Sequence, residues 1–151
     1  MTANSEFDHF IKAQEPVYSR VLQELTEGRK RSHWMWFIFP QMRGLGNSLM
    51  AERFGISSLP QAERYLQHDV LGSRLVECTR LILDLTDPNP EAIFGYPDWL
   101  KFRSSMTLFS LCSRSPAVFS EAIDRCFAGV ADARTLSLLR IRPGAAPSLS
   151  A

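Results

Sequence analysis

One short stretch of the sequence constrains the fold more than any other. Residues 34–40 read Trp-Met-Trp-Phe-Ile-Phe-Pro and hold two of the three tryptophans of the chain. Burying each large apolar side chain is worth roughly 1.5–3 kcal/mol, so such a run belongs in a core. Pro40 prevents a helix from continuing beyond Phe39. We therefore expect Ser32 to cap a short helix that runs from His33 towards Phe39 and lies buried at the centre of the protein.

The rest of the chain is predicted to be helical as well. Leu71, Leu75, Cys78, Ile82 and Leu85 form the clearest stripe, with apolar residues separated by four, three, four and three positions. Typical N-cap residues precede several such segments, and typical helix-ending glycines follow them: Ser48, Ser58, Asn89, Asp132, Gly28, Gly55, Gly95 and Gly129. No segment alternates as a strand does. We predict an all-α, single compact domain of roughly eight short helices around the buried aromatic helix.

The composition of the chain and the distribution of its apolar residues and cysteines limit the class of protein. With 151 residues the chain can bury its own core, and we place the helical domain at residues 1–142 and a flexible tail at 143–151. No apolar run approaches the roughly 18 residues of a membrane span, and no secretory signal precedes the domain. Three widely spaced cysteines, Cys78, Cys112 and Cys126, read as reduced thiols. We therefore expect a cytoplasmic protein that does not bind a membrane.

Positive charge is concentrated in two stretches, although the formal net charge is only +1. Residues 28–51 and 99–120 contain Lys and Arg but neither Asp nor Glu. If the two stretches meet in the fold, they would create a local positive field that suits a phosphate or another small anion. The alternative is chance clustering together with favourable charges at helix ends. The cations are too few to indicate a nucleic-acid surface.

The aromatic stretch is flanked by residues that could contact a ligand. His33 would share a helix face with Trp36 and Phe37, where a neutral imidazole could donate a hydrogen bond or act as a general base. It could equally be a buried histidine that satisfies backbone groups. Arg29 and Lys30 could bind a phosphate, and Trp34 could stack on a ring of the ligand. Gln41 and Arg43 could recognise a planar ligand or could cap backbone carbonyls. No second His, Asp or Cys stands at ligand spacing, so we expect no metal site and no cofactor.

A second polar group lies in the 99–120 stretch. Lys101, Ser104 and Ser105 are spaced i, i+3 and i+4, which puts an ammonium and two hydroxyls on one helix stripe. Such a stripe could bind a phosphate, a carboxylate or a carbonyl oxygen, and a Lys–Ser pair could act as base and nucleophile. In a third interpretation, the two serines are simply small residues that allow close packing between helices.

Several longer strings together resemble one known family. They include Glu24-Leu25-x-x-Gly28-x-Lys30-x-Ser32-His33-Trp34-Met35-Trp36-Phe37-Ile38-Phe39-Pro40-Gln41 and Lys101-x-x-Ser104-Ser105-Met106-Thr107-Leu108-Phe109. From about Phe7 to Leu139 the chain resembles the bacterial and fungal family called domain of unknown function 1810. The resemblance implies a compact, mainly helical fold typified by a mycobacterial member, and it implies no established reaction. The label calpastatin that some members carry does not suit this composition, because calpastatin is a disordered inhibitor.

These observations lead to one predicted function and two alternatives. We predict a domain that binds a small phosphorylated or carboxylated ligand in a basic pocket formed by Arg29, Lys30, His33, Trp34, Trp36, Gln41, Arg43, Lys101, Ser104 and Ser105. The first alternative is an enzyme, a hydrolase or transferase that acts on a nucleotide-like substrate with His33 as its base. The second is a structural or protein-interaction module without a ligand. The sequence does not indicate the oligomeric state.

Overall fold

Residues 6–140 are described by the computed structural model. Ser5, which the sequence suggests as the N-cap of a first helix, and the predicted tail at 143–151 lie outside this range. The described residues form ten helices: α1 (Asp8–Gln14), α2 (Tyr18–Glu27), α3 (Met35–Ile38), α4 (Leu49–Arg53), α5 (Leu59–Gln67), α6 (Leu71–Leu83), α7 (Pro90–Phe94), α8 (Asp98–Ser110), α9 (Val118–Phe127) and α10 (Ala133–Leu138). Within this range no strand forms, and the backbone makes one isolated parallel bridge, between Met42 and Ile56. The all-α prediction is confirmed, with ten helices where roughly eight were expected.

Local side-chain caps determine where several helices begin. Ser48 Oγ accepts a hydrogen bond from the Ala51 N–H at 3.1 Å, and Ser58 Oγ accepts one from the Gln61 N–H at 3.2 Å. Asn89 and Asp132 cap α7 and α10 in the same way. These caps were predicted from the sequence because each depends on residues within one turn of the cap.

The aromatic stretch forms the centre of the core, as predicted. Phe39 packs edge-on against Phe94 and Phe102, with ring centroids 5.9 and 5.0 Å away, and Phe37 packs against Phe54 at 5.4 Å. The helix itself is shorter than expected. It begins at Met35, so His33 precedes it, and its N-cap is Trp34 rather than Ser32. Trp36 is half-buried while its neighbours in the stretch are buried.

Glu24 on α2 explains why Ser32 does not cap this helix. Glu24 is only 5% exposed. Oε2 accepts a hydrogen bond from Ser32 Oγ at 2.6 Å, and Oε1 accepts three N–H groups, from the Arg31 backbone, the Ser32 backbone and the Trp34 indole, at 2.8, 3.1 and 2.9 Å. Burial by itself raises the pKa of Glu24, but these hydrogen bonds outweigh it and hold the pKa below its ordinary value. Ser32 and Trp34 are therefore held by an earlier helix.

A second buried polar side chain holds the other end of the stretch. Gln14, at the end of α1, donates from Nε2 to the Phe37 carbonyl at 2.7 Å and to the Tyr65 hydroxyl at 3.3 Å. Its Oε1 accepts a hydrogen bond from Arg74 at 3.2 Å. With Glu24 at one end and Gln14 at the other, the aromatic stretch is fixed by polar contacts as well as by apolar burial.

Helix α8 crosses the core beside the aromatic stretch and positions the candidate site. Its buried stripe of Phe102, Met106 and Phe109 is the one predicted. The Lys30 N–H donates to the Ile93 carbonyl at 2.7 Å, and Lys30 Nζ forms an ion pair with Asp98 at 2.8 Å. The loop that follows α2 is thereby joined to the first turn of α8. Across residues 6–140, none of the helices has both the length and the apolar character that a membrane crossing requires.

Candidate functional site

A cavity of about 490 Å³ lies between α8, the loop that leads from α3 into α4, and the start of α10. Helix α8 contributes Leu100, Lys101, Arg103 and Ser104 to its wall. The α3 side contributes Trp36 and Gln41 with residues 45–48, and the α10 side contributes residues 132–134. The volume is in the range of about 300–1,000 Å³ that small-molecule sites occupy.

Four of the residues predicted from the sequence line this cavity: Trp36, Gln41, Lys101 and Ser104. Lys101 Nζ lies 4.2 Å from the centroid of the Trp36 ring, so the two acid-free stretches of the sequence do meet here. The same ammonium lies 3.7 Å from Asp98 Oδ1. Ser104 Oγ donates to the Leu100 carbonyl at 3.0 Å, which leaves the hydroxyl oxygen able to accept a hydrogen bond.

Three predicted residues are buried or paired away from the cavity. Trp34 is 0% exposed and its indole N–H is bound to Glu24, so its ring is covered by the core. The side chain of Lys30 is 8% exposed and is paired with Asp98. Ser105 is fully buried, and its Oγ has no hydrogen-bond partner among residues 6–140.

The other three predicted residues, Arg29, His33 and Arg43, are exposed and lie outside the cavity wall. Arg43 donates to the Glu52 carbonyl at 3.1 Å and to Ser57 Oγ at 3.4 Å, so it ties α4 to the segment after it. His33 lies before α3, so the helix face that was expected to join it to Trp36 and Phe37 does not form. The described lining of the cavity includes no histidine and no cysteine.

Sequence reasoning did not select Arg103, Asp132 or Arg134 for the site. Arg103 lies in the acid-free 99–120 stretch, which was the available signal for it. Its Cζ is 5.8 Å from the ring centroids of both Trp99 and Phe127, which stack on each other. Asp132 was identified only as a helix cap, and Arg134 carried no signal beyond its charge.

Asp132 connects α10 to α8. Its Oδ2 accepts hydrogen bonds from the Thr135 N–H at 2.9 Å and from the Thr135 hydroxyl at 2.6 Å. Its own N–H donates to Thr107 Oγ1 at 2.9 Å. Its Oδ1 lies 3.9 Å from the nearer terminal nitrogen of Arg103. The carboxylate that Asp132 places in the cavity wall is thus largely engaged in capping α10.

The charge of the cavity wall is positive. Among the described residues its wall contains three cations, Lys101, Arg103 and Arg134, and one carboxylate, that of Asp132; the Asp98 carboxylate lies outside the wall, 3.7 Å from Lys101 Nζ. Three cations, a hydroxyl, amide groups and an indole ring are suited to holding an anionic group with an organic portion attached. For a metal ion the described residues offer no cluster of three or more His, Cys, Asp or Glu side chains.

A larger groove of about 740 Å³ lies between α5, α6 and the 113–116 loop, and it is less suited to an anion. Its charged residues are Glu77, Asp84, Arg80 and Arg114, two of each sign. It therefore offers no net attraction for either sign of charge, whereas the smaller cavity does.

Comparison with known proteins agrees with this helical architecture. The fold is similar to the crystal structure of the conserved hypothetical protein Rv1873 from Mycobacterium tuberculosis, with 50% sequence identity and a TM-score of 0.88 over 91% of this chain and 98% of that chain. No curated protein matches the chain. The family described as protein of unknown function (DUF1810) matches residues 4–139, as the sequence resemblance predicted, and this chain belongs to that family.

Proposed function

We propose that this protein is a small-molecule binding domain whose cavity takes an anionic ligand, phosphorylated or carboxylated. The observation that carries the proposal is the convergence of Lys101, Arg103 and Arg134 on one cavity, to whose wall the described residues contribute one carboxylate. Opposite charges attract most strongly where water is partly excluded, so a concave wall strengthens this effect.

The remaining lining residues suit the uncharged part of such a ligand. Trp36, Leu45 and Leu100 offer apolar surface, and Gln41 and Asn47 offer amide donors and acceptors. Of the residues predicted from the sequence, the proposal thus keeps Trp36, Gln41, Lys101 and Ser104. Arg29, His33 and Arg43 have no part in it.

A thermal-shift screen against nucleotides, sugar phosphates, ADP-ribose-type compounds and small dicarboxylates tests the proposal. Arg134→Ala is the main variant, because Arg134 is exposed and forms no ion pair or hydrogen bond with the described residues, so its loss should leave the fold intact. Lys101→Ala is the second variant. Arg29→Ala is the matched control, since it removes an exposed cation outside the cavity.

We expect at least one compound to raise the melting temperature of wild type and of Arg29→Ala, with a smaller rise in the other two variants. A compound that acts equally on all four proteins would bind elsewhere. A compound whose effect is lost only in Arg29→Ala would place the binding site at the loop after α2. No rise with any compound would favour a structural or protein-interaction role.

We also propose a cytoplasmic location. Each of the three cysteines carries a free thiol, which suits a reducing compartment. Burial raises the pKa of Cys78 and Cys112 to about 12 and that of Cys126 to about 11, so the thiols stay protonated and unreactive. Cell fractionation should recover the protein in the cytosolic fraction; recovery in the medium or in membranes would contradict this.

A further inference from the structure

The guanidinium of Arg103 is unusually short of partners for a group in a cavity wall. Its side chain is 25% exposed, and its Nε is buried without a hydrogen-bond partner among the described residues. The ion pair with Asp132 spans 3.9 Å, which is longer than a hydrogen bond. A guanidinium has five N–H donors, and leaving a buried donor unsatisfied costs free energy.

Arg64 shows how the same group is satisfied elsewhere in this protein. Its Nε and one terminal nitrogen donate to the two carboxylate oxygens of Glu6, at 3.0 and 2.7 Å. This is the side-by-side arrangement in which a guanidinium binds two oxygens of one anion. Arg103 has the same kind of group, and no carboxylate of residues 6–140 lies within hydrogen-bond distance of it.

Arg103 is also held in place more firmly than the other cations of the cavity. Its guanidinium packs against the rings of Trp99 and Phe127, both of which belong to long helices of the core, α8 and α9. Arg134 is exposed, and Lys101 is a point charge shared between Trp36 and Asp98. Of these three cations, only Arg103 therefore combines a fixed orientation with two parallel donors.

We infer that Arg103 is the residue that selects the ligand, by donating from its two terminal nitrogens, since its Nε is buried, to two oxygens of one phosphate or carboxylate group. This inference rests on the proposed function, because it assigns the anionic end of the ligand to one residue of that cavity. Lys101 and Arg134 then supply general attraction, which does not distinguish an oxyanion from chloride. The Asp132 carboxylate competes with the incoming anion for Arg103.

A nuclear magnetic resonance titration tests the inference in the intact protein. The probes are inorganic phosphate and sodium acetate, with sodium chloride at equal ionic strength as the control. Three signals are followed: the Arg103 Nε–H, the Trp36 indole N–H, and the Arg64 Nε–H, which is already bound to Glu6 and serves as the reference. Wild type is compared with Arg103→Lys, which keeps the charge but loses the paired donors, and with Asp132→Asn, which keeps a residue able to cap α10.

Phosphate, acetate or both should shift the Arg103 and Trp36 signals in a saturable way, while chloride and the Arg64 signal show no such change. The ion that acts identifies the anionic group. Arg103→Lys should weaken its binding by about tenfold or more, and Asp132→Asn should strengthen it.

Two results would overturn the inference. The first is a Trp36 shift with no Arg103 shift, or binding by Arg103→Lys within about twofold of wild type; the cavity would then bind anions through Lys101 and Arg134, and the proposed function would stand. The second is no response of the Arg103 signal to either ion. The proposed function would then still be tested separately by the thermal-shift screen. If Arg103→Lys fails to fold, the wild-type Arg103 signal decides alone.

Discussion

Glu24 is expected to be the polar residue on which the centre of the core most depends. Its Oε1 accepts three N–H donors and its Oε2 accepts the Ser32 hydroxyl. Glu24→Ala removes all four acceptor contacts and leaves the buried Trp34 indole N–H unsatisfied. An unsatisfied buried donor costs about 1–3 kcal/mol, and the contacts at the more exposed backbone donors add to that. We expect a total loss of about 3–5 kcal/mol in the free energy of unfolding.

Glu24→Gln separates the charge of this residue from its hydrogen bonds. The amide oxygen can take the place of Oε1 and accept the same three N–H groups, and the amide nitrogen can donate to Ser32 Oγ, whose hydroxyl rotates to accept. Only the strengthening of these hydrogen bonds by the negative charge is lost, so we expect the free energy of unfolding to decrease by about 1–2 kcal/mol at pH 7. Glu24→Ala should therefore be clearly less stable than Glu24→Gln.

The pH dependence follows from the lowered pKa of Glu24. Its pKa in the folded protein lies below the ordinary value of 4.5, so its stabilising effect is fully present above that value and is lost as the pH falls through the folded-state pKa. Glu24→Gln has no such titration. The difference in stability between wild type and this variant should therefore shrink as the pH falls below 4.5.

Urea unfolding followed by tryptophan fluorescence, at pH 7 and at a series of acidic pH values, measures these differences. Glu27→Gln is the control, because it removes an exposed carboxylate from the same helix. Exposed ion pairs such as that of Glu27 with Arg31 contribute little to the free energy of unfolding. If Glu24→Ala were as stable as Glu24→Gln, or if the wild-type advantage over Glu24→Gln grew with acid, the account of this hydrogen-bond cluster would be wrong.

Substitutions at three further positions test other contacts of the fold by urea unfolding. Gly72→Ala should lose about 3 kcal/mol or more, because a Cβ there would lie 1.9 Å from the Leu66 carbonyl oxygen; unchanged stability would contradict this packing. Asp98→Asn should lose about 1–3 kcal/mol by leaving the Lys30 ammonium without its carboxylate, and a neutral result would mean that the pair is not formed in solution. His68→Ala should lose about 1 kcal/mol, since His68 Nδ1 accepts two N–H groups at the start of α6, and His68→Asn should recover part of this; equal losses in both variants would refute the cap.

The helices could be predicted from the sequence because their signals are local. Ser48, Ser58 and Asn89 each cap a helix through a backbone N–H within one turn, and the stripe that begins at Leu71 needs only helical periodicity. Ser32 failed as a predicted cap for a reason that no local rule contains. Its hydroxyl is bound by Glu24, on the preceding helix, and that contact exists only once α2 and the aromatic stretch are packed together.

The candidate site was predicted in part for the same reason. Lys101 and Ser104 could be assigned to one helix face, and their meeting with Trp36 required only that two acid-free stretches come together. The cations themselves look alike in the sequence. Lys30 is neutralised by Asp98, whereas Arg103 keeps a buried nitrogen without a partner, and this difference arises from residues far along the chain.

The central claim is that the cavity beside Trp36 binds a small anionic ligand. The most direct test is to follow the indole N–H signals of the three tryptophans during titration with AMP, ribose 5-phosphate and succinate. Trp36 lines the cavity, Trp34 is buried in the core, and Trp99 lies in a separate cleft. The account predicts a saturable shift at Trp36 with at least one of these compounds and no comparable shift at Trp34. A smaller accompanying shift at Trp99 agrees with the account, because the Trp99 ring packs against Arg103. Shifts confined to Trp99, or none at all with any of the three, would contradict it.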